Sequence, residues 1–198
     1  MAFESKIKSS SVLFFQLSPA SSFAIVTKMN DSNFIVHLHK FNTFKPVGTC
    51  LIPKCDKVDI KWNKQGTVAL LFVSMDVDQN FYGGKSLLFY SKINQVGRAF
   101  ISNKDNTYDV KWNPQGTEFI VVHGYPQQAT LFDENLKELQ VFTSGKMNCS
   151  FWNPFGKLFL LGGLEGMNGD IEVVDRKKLK KVGGMNAKRG KNKMIIFH

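Results

Sequence analysis

The chain has 198 residues, 43% of them hydrophobic and 18 of them Phe, enough to fill an ordinary core and to exclude disorder along the whole length. Three cysteines, Cys50, Cys55 and Cys149, make no Cys-x-x-Cys pair and leave at least one thiol over, which excludes a full disulfide framework and suits a reducing compartment. The formal charge is +10, yet nine of the 26 basic residues and none of the 16 acidic ones lie from Arg176 onward, so the body is nearly neutral.

No run approaches the roughly 18 to 20 consecutive apolar residues of a membrane-spanning helix. The opening MAFESKIKSSSVLFFQLSPA has too short an apolar stretch for a signal peptide, so the expected location is cytoplasmic, with no membrane partner. Along the chain one string recurs: KWNKQG at Lys61, KWNPQG at Lys111 and FWNPFG at Phe151, which hold all three tryptophans. Asn63, Asn113 and Asn153 are 50 and 40 residues apart, and QLSPAS sets Ser18 at the same point 45 residues earlier. Units of about 40 to 45 residues match propeller blades, and the expected fold is all-β, a β-propeller of about four four-stranded blades.

The first unit, about 10 to 52, runs from the Ser18 turn to the alternating strand NFIVHLH and a weaker fourth strand PVGTCLI. His37 and His39 lie two apart on one face of NFIVHLH, a metal-ligand spacing without a third ligand nearby, so they read as a half-buried or solvent-facing pair. The second unit, about 57 to 102, has KVDIKW, TVALLFV, KSLLFYS and GRAFIS. Its loop SMDVDQNFYGG carries Asp76 and Asp78, too few oxygens for a calcium site, and reads with Tyr82 as an exposed contact tip. The following GGKS lacks the glycine that a phosphate-binding loop needs at position 79.

The third unit, about 107 to 143, has TYDVKW, TEFIVVHG, QATLFDE and KELQVFT, with Tyr125 at a second exposed tip. The fourth, about 147 to 182, has MNCSFW, KLFLLGG, GDIEVVD and KLKKVG. Within it GGLEGMNG resembles a phosphate loop but leads into a strand, so no helix N-terminus is expected to hold an anion. Each recurring string reads as the hairpin between the first two strands. Asn bonds backbone two residues on, Pro presets φ, and Gly supplies the positive φ that closes the turn. The tryptophans read as wedges filling space between neighbouring sheets.

No Ser/His/Asp or Cys/His set has interpretable order, so no enzyme, metal site or cofactor is expected. The partial propeller is expected over 1 to 183, followed by a basic, disordered tail over 184 to 198. The candidate RNA-contacting residues are Lys177, Lys178, Lys180, Lys181, Lys188, Arg189, Lys191 and Lys193, a run without an acid. No aromatic falls inside that run, so weak, sequence-indifferent binding to phosphate is the functional reading, and a solvated tail is the plain one.

The runs DKVDIKWNKQGTVALLFVSMDVDQNFYGGKSLLFY, YDVKWNPQGTEFIVVHGYPQQATLFD and NPFGKLFLLGGLEGMNGDIEVVD resemble the propeller of the eukaryotic translation initiation factor 2A family, over about Ser10 to Gly183. The most specific pieces are the Asp76 loop with Tyr82-Gly83, the Thr117 strand followed by Gly124, and Leu161 to Asp175. The resemblance implies a binding protein that contacts the small ribosomal subunit and supports delivery of initiator methionyl-tRNA, with other initiation factors nearby. The family's propeller is larger, so the chain reads as a partial copy, and MNAKRGKNKMIIFH does not continue into a further blade. The propeller of the B subunit of initiation factor 3, with similar NPFG and MNGDIEVVD turns, is the close alternative. A generic propeller scaffold for protein interactions is the other.

Overall fold

A computed structural model describes residues 12–30, 33–41, 45–53, 55–75, 85–95, 99–102, 106–143, 146–164, 167 and 169–186. Sixteen strands and no helix occur among them, in two compact units, Met1–Ile101 and Ser102–His198. In the first unit β1 (Val12–Leu17), β2 (Ser22–Asn30), β3 (Asn33–Lys40) and β4 (Pro46–Pro53) form one antiparallel meander. The chain then builds a second meander from β5 (Lys57–Trp62), β6 (Val68–Met75), β7 (Lys85–Lys92) and β8 (Ala99–Ser102). In the second unit β9 (Thr107–Trp112), β10 (Glu118–His123), β11 (Gln128–Asp133) and β12 (Glu138–Phe142) form the third sheet. The fourth contains β13 (Cys149–Trp152), β14 (Leu158–Gly162), β15 (Asp170–Asp175) and β16 (Lys180–Asn186). Four four-stranded antiparallel meanders with this regular order are propeller blades.

The recurring Asn organises its hairpin through a different bond from the one expected. Asn63 Oδ1 accepts the amides of Thr67 and Val68 at 2.9 and 3.0 Å, four and five residues on rather than two. Asn113 repeats this with Thr117 and Glu118, and Asn153 with Lys157 and Leu158. In all three, the Gly amide donates to the Asn carbonyl, and Gly66, Gly116 and Gly156 take φ of 64°, 75° and 68°. That region is open to Gly with little strain. Ser18 serves the first hairpin similarly, its Oγ accepting the amides of Ala20 and Ser22 at 3.2 and 3.1 Å.

Alternation along the strands then decides burial. In β5 Val58, Ile60 and Trp62 point inward while Lys57 and Asp59 face out. They join Ala24, Val26, Val36, Leu38, Ile52, Leu71, Val73 and Phe89 in one core between the two sheets of the first unit. The second unit closes on Ile120, Val122, Leu131, Met147, Phe159, Leu161 and Val174. Only Trp62 among the tryptophans is buried; Trp112 and Trp152 are half-buried. Their rings lie 4.9 Å from Phe119 and Phe159, their cross-strand partners, and Trp152 Nε1 donates to the Lys111 carbonyl of the neighbouring sheet at 3.4 Å.

The last strand corrects the expected boundary at Gly183. β16 runs to Asn186, with Glu172 facing Gly184, Ile171 facing Met185 and Asp170 facing Asn186. Residues 184 to 186 therefore belong to the sheet and not to a tail, because a ladder on β15 is available to satisfy their backbone. Residues 187 to 198, the rest of the expected tail, lie outside the described residues.

Candidate nucleic-acid interface

The basic run begins in the β15–β16 turn, and its parts have different surroundings. Arg176 forks onto the Glu118 carboxylate with both Nε and Nη2, joining the fourth sheet to the third. That hydrogen bond holds the guanidinium pKa above its ordinary value, so this cation is committed to the fold. Lys181 Nζ bonds Glu172 Oε1 at 3.0 Å across β15 and β16, so this candidate RNA-contacting lysine takes part in an exposed ion pair. The acid-free stretch of sequence is thus not acid-free in space: strand pairing returns Glu172 and Asp175 to its side.

Lys177, Lys178 and Lys180 are exposed, and no described carboxylate lies within ion-pair distance of their amines. Asp175 Oδ1 accepts the Lys178 amide at 2.8 Å and Leu179 takes φ of 52°, which fixes the turn that presents them. Lys188, Arg189, Lys191 and Lys193 lie outside the described residues, as do Asp76, Asp78 and Tyr82. Tyr125 is described and stands 88% exposed in the β10–β11 turn, as its loop position suggests.

Two residues that sequence reasoning did not single out complete this end of the fourth sheet. Phe155 and Lys157 lie in the β13–β14 turn, and the Arg176 amide donates to the Lys157 carbonyl at 2.9 Å, tying that turn to the basic one. Phe155 is 71% exposed; Lys157 is exposed as well. Their signal was present in the repeat. Gln65 and Gln115 occupy the position of Phe155, and Thr67 and Thr117 the position of Lys157. Those threonines accept a bond from the turn Asn Nδ2, at 3.0 and 3.2 Å, which Lys157 cannot reproduce.

Other candidates carry less. His39 is buried and stacks on Phe23 at 5.0 Å, and burial lowers the His37 pKa. No group of three or more His, Cys, Asp or Glu suited to a metal ion occurs among the described residues. GGLEGMNG leads into β15, and a side chain at Gly163 would meet the Lys146 carbonyl at 2.3 Å, so close backbone approach accounts for that glycine. An open groove of about 490 Å³ beside β16 has its charges matched internally, Lys146 with Asp170 and Lys181 with Glu172. Burial pushes the thiols of Cys55 and Cys149 up to about 12 and about 11, and neither is disulfide-bonded. No described helix is long and apolar enough to cross a membrane.

The sequence profile of the family described as eukaryotic translation initiation factor eIF2A matches residues 52–192. The chain belongs to this family. It is 33% identical over 136 residues to eukaryotic translation initiation factor 2A of Drosophila melanogaster, covering 67% of this chain and 21% of that protein. Over 131 residues it is 27% identical to the B subunit of eukaryotic translation initiation factor 3 from Xenopus laevis, covering 60% of this chain and 18% of that one. A solved eukaryotic initiation factor superposes with a TM-score of 0.75 at 23% identity, covering 91% of this chain and 45% of that one, which establishes the shared fold. The chain spans about a fifth of its fly relative's length.

Proposed function

We propose that the chain acts within a translation initiation factor, docking on the small ribosomal subunit and supporting delivery of initiator methionyl-tRNA in the cytoplasm, by binding and not by catalysis. Family membership supports the setting. The observation that carries the reading is the exposed basic end of the fourth sheet, where Lys177, Lys178 and Lys180 stand beside Lys157 on a nearly neutral body. Clustered lysines with no acid partner attract phosphate and make binding fall with salt. Asp76, Asp78, Tyr82 and Tyr125 are proposed as further loop contacts, and Lys188, Arg189, Lys191 and Lys193 as an extension of the basic surface.

The test is crosslinking and co-sedimentation with purified small subunits across a salt series. Substitutions are needed in place of shortening at Asp175, which would remove β16 from the sheet. Replacing Lys177, Lys178 and Lys180 by Gln is expected to weaken the association most at low salt. A wild-type chain that stays in the soluble fraction at low salt would leave a generic scaffold as the better reading.

A further inference from the structure

We propose that the turn end of the fourth sheet binds single-stranded RNA, Phe155 stacking on a base while Lys157, Lys177, Lys178 and Lys180 hold the flanking phosphates. The inference deepens the reading above by naming the ligand of the basic surface and adding an element that gives it a preference for bases. Charge alone would not distinguish a single-stranded nucleic acid from a polyanion without bases, whereas an aromatic ring beside phosphate-binding cations does.

The ring is displayed by a rigid turn. Asn153 Oδ1 accepts the amides of Lys157 and Leu158 at 2.8 and 3.0 Å, the Gly156 amide donates to the Asn153 carbonyl at 2.9 Å, and Gln115 Nε2 donates to the Phe155 carbonyl at 3.0 Å. Little ordering entropy is then left for ligand binding to supply at this backbone. The Lys157 carbonyl bonds the Arg176 amide, so the aromatic turn and the lysine turn are adjacent by direct contact. Leu158 faces Asp175 in the sheet, and Asp175 faces Lys180, which keeps all five side chains at one end.

The charge at this end is net positive, four lysines against the Asp175 carboxylate. Glu118 is taken by Arg176, the Asp175 carboxylate caps the Lys178 amide, and Glu172 lies with Lys181 farther along the strand. No described carboxylate is within ion-pair distance of the four lysines. Burying them under a protein would require a dense acidic complement, while a phosphate backbone supplies one by nature. The fourth hairpin is also the one that exchanges Gln for Phe and Thr for Lys, giving up the Asn-to-Thr bond that the second and third retain.

Fluorescence anisotropy with a fluorescein-labelled oligouridylate and an abasic ribose-phosphate oligomer of equal length tests this on the full chain. Phe155→Gln, which installs the residue found at this point in two sister hairpins, should weaken oligouridylate binding about tenfold and leave the abasic probe unaffected. Phe155→Trp should restore it. Combining Lys157→Thr with Lys177→Gln, Lys178→Gln and Lys180→Gln should lower the salt slope by roughly 3 for both probes, at about 0.7 per single-strand phosphate. Equal affinity of wild type and Phe155→Gln for oligouridylate would overturn the proposal. If that variant instead changed only the sedimentation of the protein alone, the ring would belong to a protein contact and the proposal would likewise fall. Small-subunit co-sedimentation of the same wild-type protein separates the two readings: loss there with oligouridylate binding retained overturns the ribosomal role and leaves this site standing.

Discussion

Asn113 shows how much one side chain does here: its Oδ1 accepts two amides and its Nδ2 donates to Thr117, while its own backbone closes the hairpin onto Glu118. Asn113→Ala would leave the amide beneath Glu118 without an acceptor in a buried setting, an expected loss of about 1 to 3 kcal/mol measured as a lower urea midpoint. Asn113→Asp keeps the acceptor and should lose less. His37 makes a pH prediction. Burial lowers its pKa from 6.5, and its Nδ1 is buried with no partner among the described residues, so the unfolded chain takes the proton first as pH falls. Its contribution is therefore intact above about pH 6.5 and declines as the pH drops through the window below, and His37→Gln should flatten the acid side of a urea-midpoint profile. An unchanged profile would contradict this.

At the scale of the elements, what joins the third and fourth sheets is polar as well as apolar. Glu118 and Arg176 pair across the two sheets, and Asp109 Oδ2 accepts both the amide and the hydroxyl of Ser150 at 2.9 Å. Glu118→Ala leaves a partly buried guanidinium without its carboxylate, an expected cost of about 1 to 3 kcal/mol after allowing for solvent. Adding Arg176→Met should recover part of it, as read in a double-mutant cycle. Additive losses would mean that the pair is not coupled. The strands themselves were legible: KVDIKW, TYDVKW and MNCSFW, each with the turn string at its end, told of hairpins, because period-two burial and turn chemistry are local. Glu118 with Arg176 was not, since the partners are 58 residues apart and nothing in either neighbourhood names the other.

For the whole molecule, the first sheet carries an apolar liability. Val12, Leu13, Phe14, Phe15 and Leu17 of β1 are all exposed, a concentration of apolar surface that soluble chains seldom leave uncovered. The chain is expected to self-associate at micromolar concentration, and Phe15→Lys with Leu17→Lys to reduce that association in sedimentation velocity. A monodisperse wild-type monomer would show that this surface is tolerated. The thiols carry a separate prediction: Cys55 and Cys149, whose pKa values burial raises to about 12 and about 11, should react slowly with a thiol reagent at neutral pH until the chain is unfolded.

The sequence by itself determined the blade, since alternating strands, a turn Asn and a Gly at positive φ are decided within a few residues of one another. It also carried the family, through strings such as TEFIVVHG and MNGDIEVVD that a profile over 52–192 recognises. Only the tertiary structure decided how the basic run is used. In one dimension Arg176 to Lys181 reads as undivided positive charge, but strand pairing and sheet packing set Glu118 against Arg176 and Glu172 against Lys181, leaving Lys177, Lys178 and Lys180 exposed. Folding also carried Phe155 and Lys157 to their side through a hydrogen bond across the end of the sheet. Charge partners are chosen by distance in space, because the attraction falls off within a Debye length of about 8 to 10 Å, and sequence separation carries no measure of that distance.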